Sequence, residues 1–272
     1  MKRTVAGTAP ELNRIPFSAA PHNRGLATFT AAKIDKCPEA LVPGLRRRFT
    51  VRAGLGAAAP TSTAFLTSFQ LLLLKLPLSF YRRPDPVLIA RELLGKHLYT
   101  RINGVLTGGR IVETEAYAHL NDQACHSHLG RYTARTRVMY EPGGVAYVYL
   151  IYGRYALFNI ITNEEGKADA VLIRGLEPLE GIPEMLLRRD MTTVKRNLTG
   201  GPGLLTQALG ITTAYYGTDL TGDTIWIEDA GEDVHETEIV ASPRVGIDYA
   251  GPDAALPWRF RVKGSLWTSP AK

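Results

Sequence analysis

The sequence predicts one α+β domain around a mixed, largely antiparallel sheet. Three observations lead there. Apolar–polar alternations recur from His97 onward, the helical stretches among them are short, and the chain closes on the basic, strand-like run WRFRVKG (258–264). No internal repeat is visible, which sets aside solenoids and propellers.

Residues 1–75 read as a basic, poorly structured leader and residues 76–272 as the working domain. The leader is rich in Ala, Thr, Pro and Arg and shows no sustained helical or strand period. It holds 11 Lys+Arg against 3 Asp+Glu, net +8, whereas the remainder holds 21 against 23, net −2. The formal charge of +6 over 272 residues therefore belongs to the leader, and any nucleic-acid contact of the domain must rest on local patches. Arg46–Arg47–Arg48 is the densest charge run, readable as part of an organelle transit peptide, as a DNA-tracking arm or as a solvated tail. The apolar stretch 64–74 is too short to span a bilayer, so no membrane partner is expected. Two cysteines, Cys37 and Cys125, exclude a disulfide framework, an all-cysteine zinc site and an iron–sulfur cluster.

The domain's elements follow in order. Asp85–Pro86 is a helix start, with an acidic N-cap and proline at the first helical position, and Gly95 is the stop. HLYTRI (97–102), VLTGGRIVETEAY (105–117), GVAYVYLIYGRYALFNIIT (144–162) and AVLIRGL (170–176) alternate as strands, and short helices are expected at about 181–190 and 202–209. Within 144–162 two strand-like runs meet at Tyr152–Gly153–Arg154, the expected tip of a hairpin.

Five segments carry chemistry. In the 105–117 strand, period two places Ile111, Glu113, Glu115 and Tyr117 on one face. Two carboxylates and a phenol then share a surface that is either wet and arginine-paired or a catalytic base beside an aromatic wall. Tyr140, Tyr147, Tyr149, Tyr152 and Tyr155 are five of the twelve tyrosines. Tyrosine beside Arg154 at a turn tip suits a wedge into a base stack with the arginine on a phosphate, or else a hairpin folded onto its own core. Arg131, Arg135 and Arg137 stand among hydroxyl residues without an acid, as a phosphate-contacting loop or a solvated one. His119, Asp122, Cys125, His126 and His128 crowd together but match no zinc signature, and a histidine hydrogen-bonding a ligand is the favoured reading. Gly200–Gly201–Pro202–Gly203 opens a helix whose free amides suit phosphate, without the Lys-Ser/Thr of a Walker loop.

Together these stretches resemble the alkyladenine (3-methyladenine, or N-methylpurine) DNA glycosylase family. The resemblance rests on RIVETEAY (110–117), ACHS (124–127) with GRYTARTRVMY (130–140), YVYLIYGRYALFNI (147–160), VLIRGLEPLEG (171–181), GGPGLLTQAL (200–209), RVG (244–246) and RFRVKGSLW (259–267). It implies a curved sheet with peripheral helices and a protruding β-hairpin. It implies Glu115 as the general base that activates water, with Arg174 and a backbone carbonyl near Val245 holding that water. Tyr117, His126 and Tyr149 would sandwich a flipped base, Asn159 would crowd the 2-amino group of guanine, and Tyr152 would fill the gap left in the duplex. Arg131, Arg135, Arg137 and Arg154 would follow the DNA backbone. Members often carry lysine just after the Gly-Pro of the later helix start, where this chain has Leu204, which puts one phosphate contact in question but not the chemistry.

The expected activity is excision of alkylated or deaminated purines from duplex DNA, leaving an abasic site, by a monomer without metal or organic cofactor. No lysine lies between Lys96 and Lys167, so the site-forming segment offers no amine for a Schiff base, and a monofunctional hydrolase is expected. A bacterial-type cytoplasm is the expected compartment, or a nucleus or organelle if 1–75 is a transit peptide. Three rivals remain: a zinc-dependent hydrolase using His119–His128, a non-catalytic lesion binder, and a sugar glycosidase pairing Glu113 with Glu115. Two strand neighbours of that kind lie about 6.6–6.8 Å apart at Cα, a spacing open to inversion.

Overall fold

A computed structural model describes residues 74–270. Arg46–Arg48, Cys37 and nearly all of the 64–74 stretch lie outside the described residues. Leu74 and Lys75, expected in the leader, instead form the two-residue strand β1 (Leu74–Lys75), paired with Asp229 and Glu228. A two-residue strand has no period of its own, so only its partner reveals it.

After a short helix α1 (Leu78–Tyr81) comes α2 (Pro86–Glu92). The Asp85 carboxylate accepts from the backbone N–H groups of Val87 at 2.9 Å and Leu88 at 3.0 Å, the N-cap that the sequence predicts. Strands β2 (His97–Ile102) and β3 (Val105–Tyr117) form a hairpin through Asn103 and Gly104, whose φ values of 53° and 78° fit the mirror-image turn that strand twist favours. Then follow β4 (Ala146–Ile151), β5 (Tyr155–Thr162), β6 (Asp169–Glu180), α3 (Ile182–Arg188), α4 (Pro202–Leu209), β7 (Ile225–Asp229), β8 (Ile239–Ser242) and β9 (Arg259–Val262). The sheet order is β1-β7-β2-β3-β6-β5-β4, with β9 pairing β3 and β8.

The fold is α+β, as expected. The parallel component of a mixed sheet is absent among the described strands, for every pairing is antiparallel. Tight hairpins account for two of these pairings, β2–β3 and β4–β5, which are joined by two- and three-residue links. The main core lies where α2 and α4 pack on the sheet, through Ile89, Leu93, Ile111, Ala116, Phe158, Ile173, Leu205 and Leu209.

Two bulges shape the centre of the sheet. On β3, Ile111 faces Leu176 and Glu113 faces Gly175, leaving Val112 extra; on β6, Gly175 faces Glu113 and Ile173 faces Thr114, leaving Arg174 extra. A bulge re-aims side chains. Ile111 consequently joins the helix-side core, and the expectation that it shares a face with Glu113 fails. Beyond the bulge the alternation resumes: the Thr114 hydroxyl reaches the Ala90 carbonyl of α2 at 2.7 Å, while Glu113, Glu115 and Tyr117 point the other way.

Candidate active site

Against that opposite face lies a cleft of about 1010 Å³, lined by Tyr117, His126, Arg135, Tyr147, Tyr149, Tyr152, Asn159, Arg174, Leu204 and Val245 among others. Its floor comes from β3 and β6, one wall from β4 and β5, and the rim from the 124–139 and 244–249 loops.

Glu115 has no solvent-exposed surface and lies directly beneath this floor. Its Oε1 accepts from the backbone N–H of Val245 at 2.8 Å; its Oε2 accepts from the Tyr117 hydroxyl at 2.8 Å and from Nη1 of Arg174 at 3.2 Å. All three donors line the cleft. Val245 reaches the carboxylate through its amide nitrogen, a different group from the backbone carbonyl that the resemblance assigns to holding the water. Burial would by itself weaken the charge on Arg174, but the Glu115 and Glu113 carboxylates hold its pKa above the ordinary value. Three of the roughly four lone-pair sites of this carboxylate are taken, both on Oε2 and one on Oε1, which fixes its orientation and leaves one acceptor site, on Oε1.

The walls are aromatic. The His126 and Tyr149 rings meet edge to face at 4.8 Å between centroids, and Tyr147 lies 5.2 Å from Tyr149. His126 Nδ1 is 2.9 Å from the Tyr147 hydroxyl, and Nε2 is 3.4 Å from Nη2 of Arg135. Arginine can only donate, so Nε2 accepts and Nδ1 carries the proton that it donates to Tyr147. Burial first, then the charges of Arg135 and Arg131, push His126 down to about 4, which agrees with a neutral ring. Burial also pushes the Tyr147 phenol up to about 12 and raises Tyr149 further. Tyr117 is raised as well, by burial and then by the Glu115 charge. These phenols stay neutral and electron-rich at physiological pH. Asn159, 4% exposed, spends its Nδ2 on the Tyr147 carbonyl at 3.1 Å and lines the cleft.

At the rim, Tyr152 and Gly153 occupy the β4–β5 turn at φ 53° and 64°, and the Tyr152 side chain is 89% exposed. The ring is not folded onto the core. Arg154 is exposed beside it, over the Tyr155 ring. Arg131 and Arg137 are exposed on the 131–137 loop. Arg135 belongs to the same loop but lines the cleft, its guanidinium 4.6 Å from the Tyr149 centroid. Leu204, in the first turn of α4, lines the cleft too.

The histidine–cysteine cluster disperses. His119 Nδ1 pairs with Asp169 at 2.7 Å, the Cys125 thiol meets the Ser127 hydroxyl, and Asp122 clamps Arg244 through two bonds of 2.7 and 2.8 Å. Among the described residues no three His, Cys, Asp or Glu side chains converge as a metal site. Sequence reasoning missed Arg244, whose guanidinium stacks 4.8 Å from the Tyr117 ring and so backs the floor of the cleft; its place in the RVG motif was the available signal. It also gave no role to Arg259 or Ser269, discussed below.

A sequence model of the family described as methylpurine-DNA glycosylase (MPG) matches residues 79–266. A Clostridium acetobutylicum protein named "Putative 3-methyladenine DNA glycosylase" is 44% identical over 206 residues, covering 73% of this chain and 99% of the relative. Proteins of the same name from Bacillus cereus and Bacillus anthracis are 46% identical over 201 residues, 71% of this chain and 98% of theirs.

Proposed function

The chain belongs to the methylpurine-DNA glycosylase family, and from that premise we propose that it hydrolyses the N-glycosidic bond of alkylated or deaminated purines in duplex DNA with a water activated by Glu115. The observation that carries this reading is a fully buried carboxylate whose three donors all line a cleft walled by tyrosines and a neutral histidine.

A stacked nucleotide hides its glycosidic bond, so the lesion is extruded, at a cost of a few kcal/mol that is smallest for damaged or weakly paired bases. Tyr152 fills the vacated place in the stack. The extruded purine lies between Tyr117 and the His126–Tyr149 wall; each aromatic contact returns roughly 1–3 kcal/mol, and a cationic alkylated base gains more from the tyrosine faces. Asn159 meets the purine edge and disfavours the 2-amino group of guanine. Arg131, Arg137 and Arg154 follow phosphates, and Arg135 combines that charge with its contact to Tyr149.

Chemically, Glu115 takes a proton from water, the water oxygen bonds to C1′ of the sugar, and the bond from C1′ to the purine nitrogen breaks. A cationic purine departs neutral, leaving the proton of the water on Glu115; a neutral one, such as hypoxanthine, takes up one proton from solvent as it leaves, which balances the one that Glu115 took from the water. The carboxylate also offsets positive charge developing on the sugar. The products are a free base and an abasic site in an intact strand. A monomer in a DNA-containing cytoplasm suffices for this, and no helix among the described residues is long and apolar enough to cross a membrane.

The test is product analysis with duplexes carrying one hypoxanthine, one ethenoadenine or one 7-methylguanine. Free purine and a strand that breaks only after alkali support the proposal. Release without exogenous base of a nicked strand, a borohydride-trapped adduct, or release abolished by a chelator would each favour a different chemistry.

A further inference from the structure

Glu113 lies two residues before Glu115 on β3, has no exposed surface and does not line the cleft. Its carboxylate accepts four hydrogen bonds: from Nε of Arg174 at 3.1 Å, Nε of Arg259 at 2.7 Å, the Ser269 hydroxyl at 2.7 Å and the Ser269 backbone N–H. All three guanidinium nitrogens of Arg174 are committed in turn: Nε to Glu113, Nη1 to Glu115 and Nη2 to the Ser269 hydroxyl at 3.2 Å. The Ser269 hydroxyl also accepts from Arg259 at 3.2 Å, so its one proton and both lone pairs are used.

The segment carrying Ser269 is itself fastened. Arg196 gives two bonds, of 2.9 and 2.7 Å, to the Thr268 carbonyl. The Trp267 carbonyl presses on β6 so closely that a Cβ at Gly175 would sit 2.6 Å from it. This is the residue next to Arg174, at the bulge. Buried here are two carboxylates and two guanidiniums in a closed network, where removing one partner disturbs the rest. Arg259 and Ser269 fix Glu113, and Glu113 in turn holds Nε of Arg174 while Nη1 reaches Glu115.

We infer that Glu113, Arg259 and Ser269 are positioning residues for base excision: they lie outside the cleft lining and hold Arg174 in register with Glu115. The inference rests on the reading of Glu115 as the base. It separates the 267–269 segment from a merely structural tail, because a clamp behind the floor acts on the chemical step and leaves lesion affinity alone.

The experiment measures single-turnover hypoxanthine release at saturating full-length protein, together with Kd for a duplex holding a non-cleavable 2′-fluorinated hypoxanthine nucleotide. Ser269→Ala is expected to lower the rate about 10–100-fold, by analogy with the loss of hydrogen-bond partners behind metal ligands, with Kd unchanged. Ser269→Thr, which keeps the hydroxyl, restores most of the rate. A wild-type rate for Ser269→Ala, an equal loss in Ser269→Thr, or a Kd that weakens in proportion to the rate would overturn the inference. Should Ser269→Ala fail to fold, Ser269→Cys replaces it under the same criteria, since sulfur accepts hydrogen bonds poorly. Glu115→Gln is run alongside. If it releases base at the wild-type rate, the base assignment falls and the clamp with it; if it is inactive while Ser269→Ala is not impaired, the clamp alone falls.

Discussion

Tyr152 couples backbone strain to the proposed function, and replacing it separates the two. Its φ of 53° lies in the left-handed region, where a Cβ costs roughly 1–2 kcal/mol. At 89% exposure its ring returns almost none of that through packing in the free protein. Tyr152→Ala keeps the Cβ and therefore the strain, so its stability should match wild type. Tyr152→Gly relieves the strain but loses about 0.5–1 kcal/mol to added freedom of the unfolded chain. The net, about 0–1.5 kcal/mol in favour of glycine, raises Tm by up to roughly 6 °C in a domain of this size. Both variants lose the wedge, worth about 1–3 kcal/mol by analogy with base–aromatic stacking, which is about 5- to 150-fold in Kd for a lesion duplex. Differential scanning calorimetry and fluorescence anisotropy at fixed salt read the two effects. A glycine variant less stable than the alanine variant refutes the strain argument, and unchanged lesion affinity in both refutes the wedge.

Other outcomes follow from the same geometry. Asp122→Ala strands the buried Arg244 guanidinium and should destabilise the fold by about 3–5 kcal/mol, measured by urea unfolding. His126 is pushed from 6.5 down to about 4 in the folded chain, so the unfolded chain binds more protons between those values. Its contribution is fully present above pH 6.5 and is lost as pH falls through 4; the Tm of His126→Gln should therefore decline less steeply across that window than that of wild type. Arg131→Ala and Arg137→Ala should each reduce the slope of log Kd against log salt by about 0.9, the signature of one phosphate contact, whereas unchanged slopes would remove them from the DNA backbone.

What was legible in the sequence is what local chemistry dictates. Asp85–Pro86 caps a helix because an acid and a proline at those two positions satisfy its first turn without help from elsewhere. The Tyr152–Gly153 tip is likewise written into adjacent residues, as is the stop of α4 at Gly210, with φ 75°. Period two, however, is a rule for unbroken strands. It aligned Ile111 with Glu113 and failed because an extra residue, Val112, sits between them, and nothing in the run RIVETEAY marks that bulge apart from its pairing with β6. The family resemblance named Glu115, Arg174 and the aromatic residues that the fold gathers at or under the cleft, but reading the residues alone left Glu113 as half of a wet or catalytic pair. Its actual partners, Arg259 and Ser269, are 146 and 156 residues away in the chain. Contacts of that separation leave no periodic trace. Arg135 shows the same limit: composition groups it with Arg131 and Arg137, and only the fold turns it onto Tyr149.

The central claim is that one carboxylate beneath an aromatic cleft readies the attacking water. Its most direct test is the single-turnover rate of hypoxanthine release by Glu115→Gln relative to wild type, with every lesion site occupied. The substitution preserves shape and removes the proton acceptor, so the rate should fall by about 10²–10⁴-fold, the usual worth of a positioned base, while lesion affinity stays within about twofold, well inside the 1.4 kcal/mol that a tenfold change represents. Release at the wild-type rate from fully bound duplex would contradict the account.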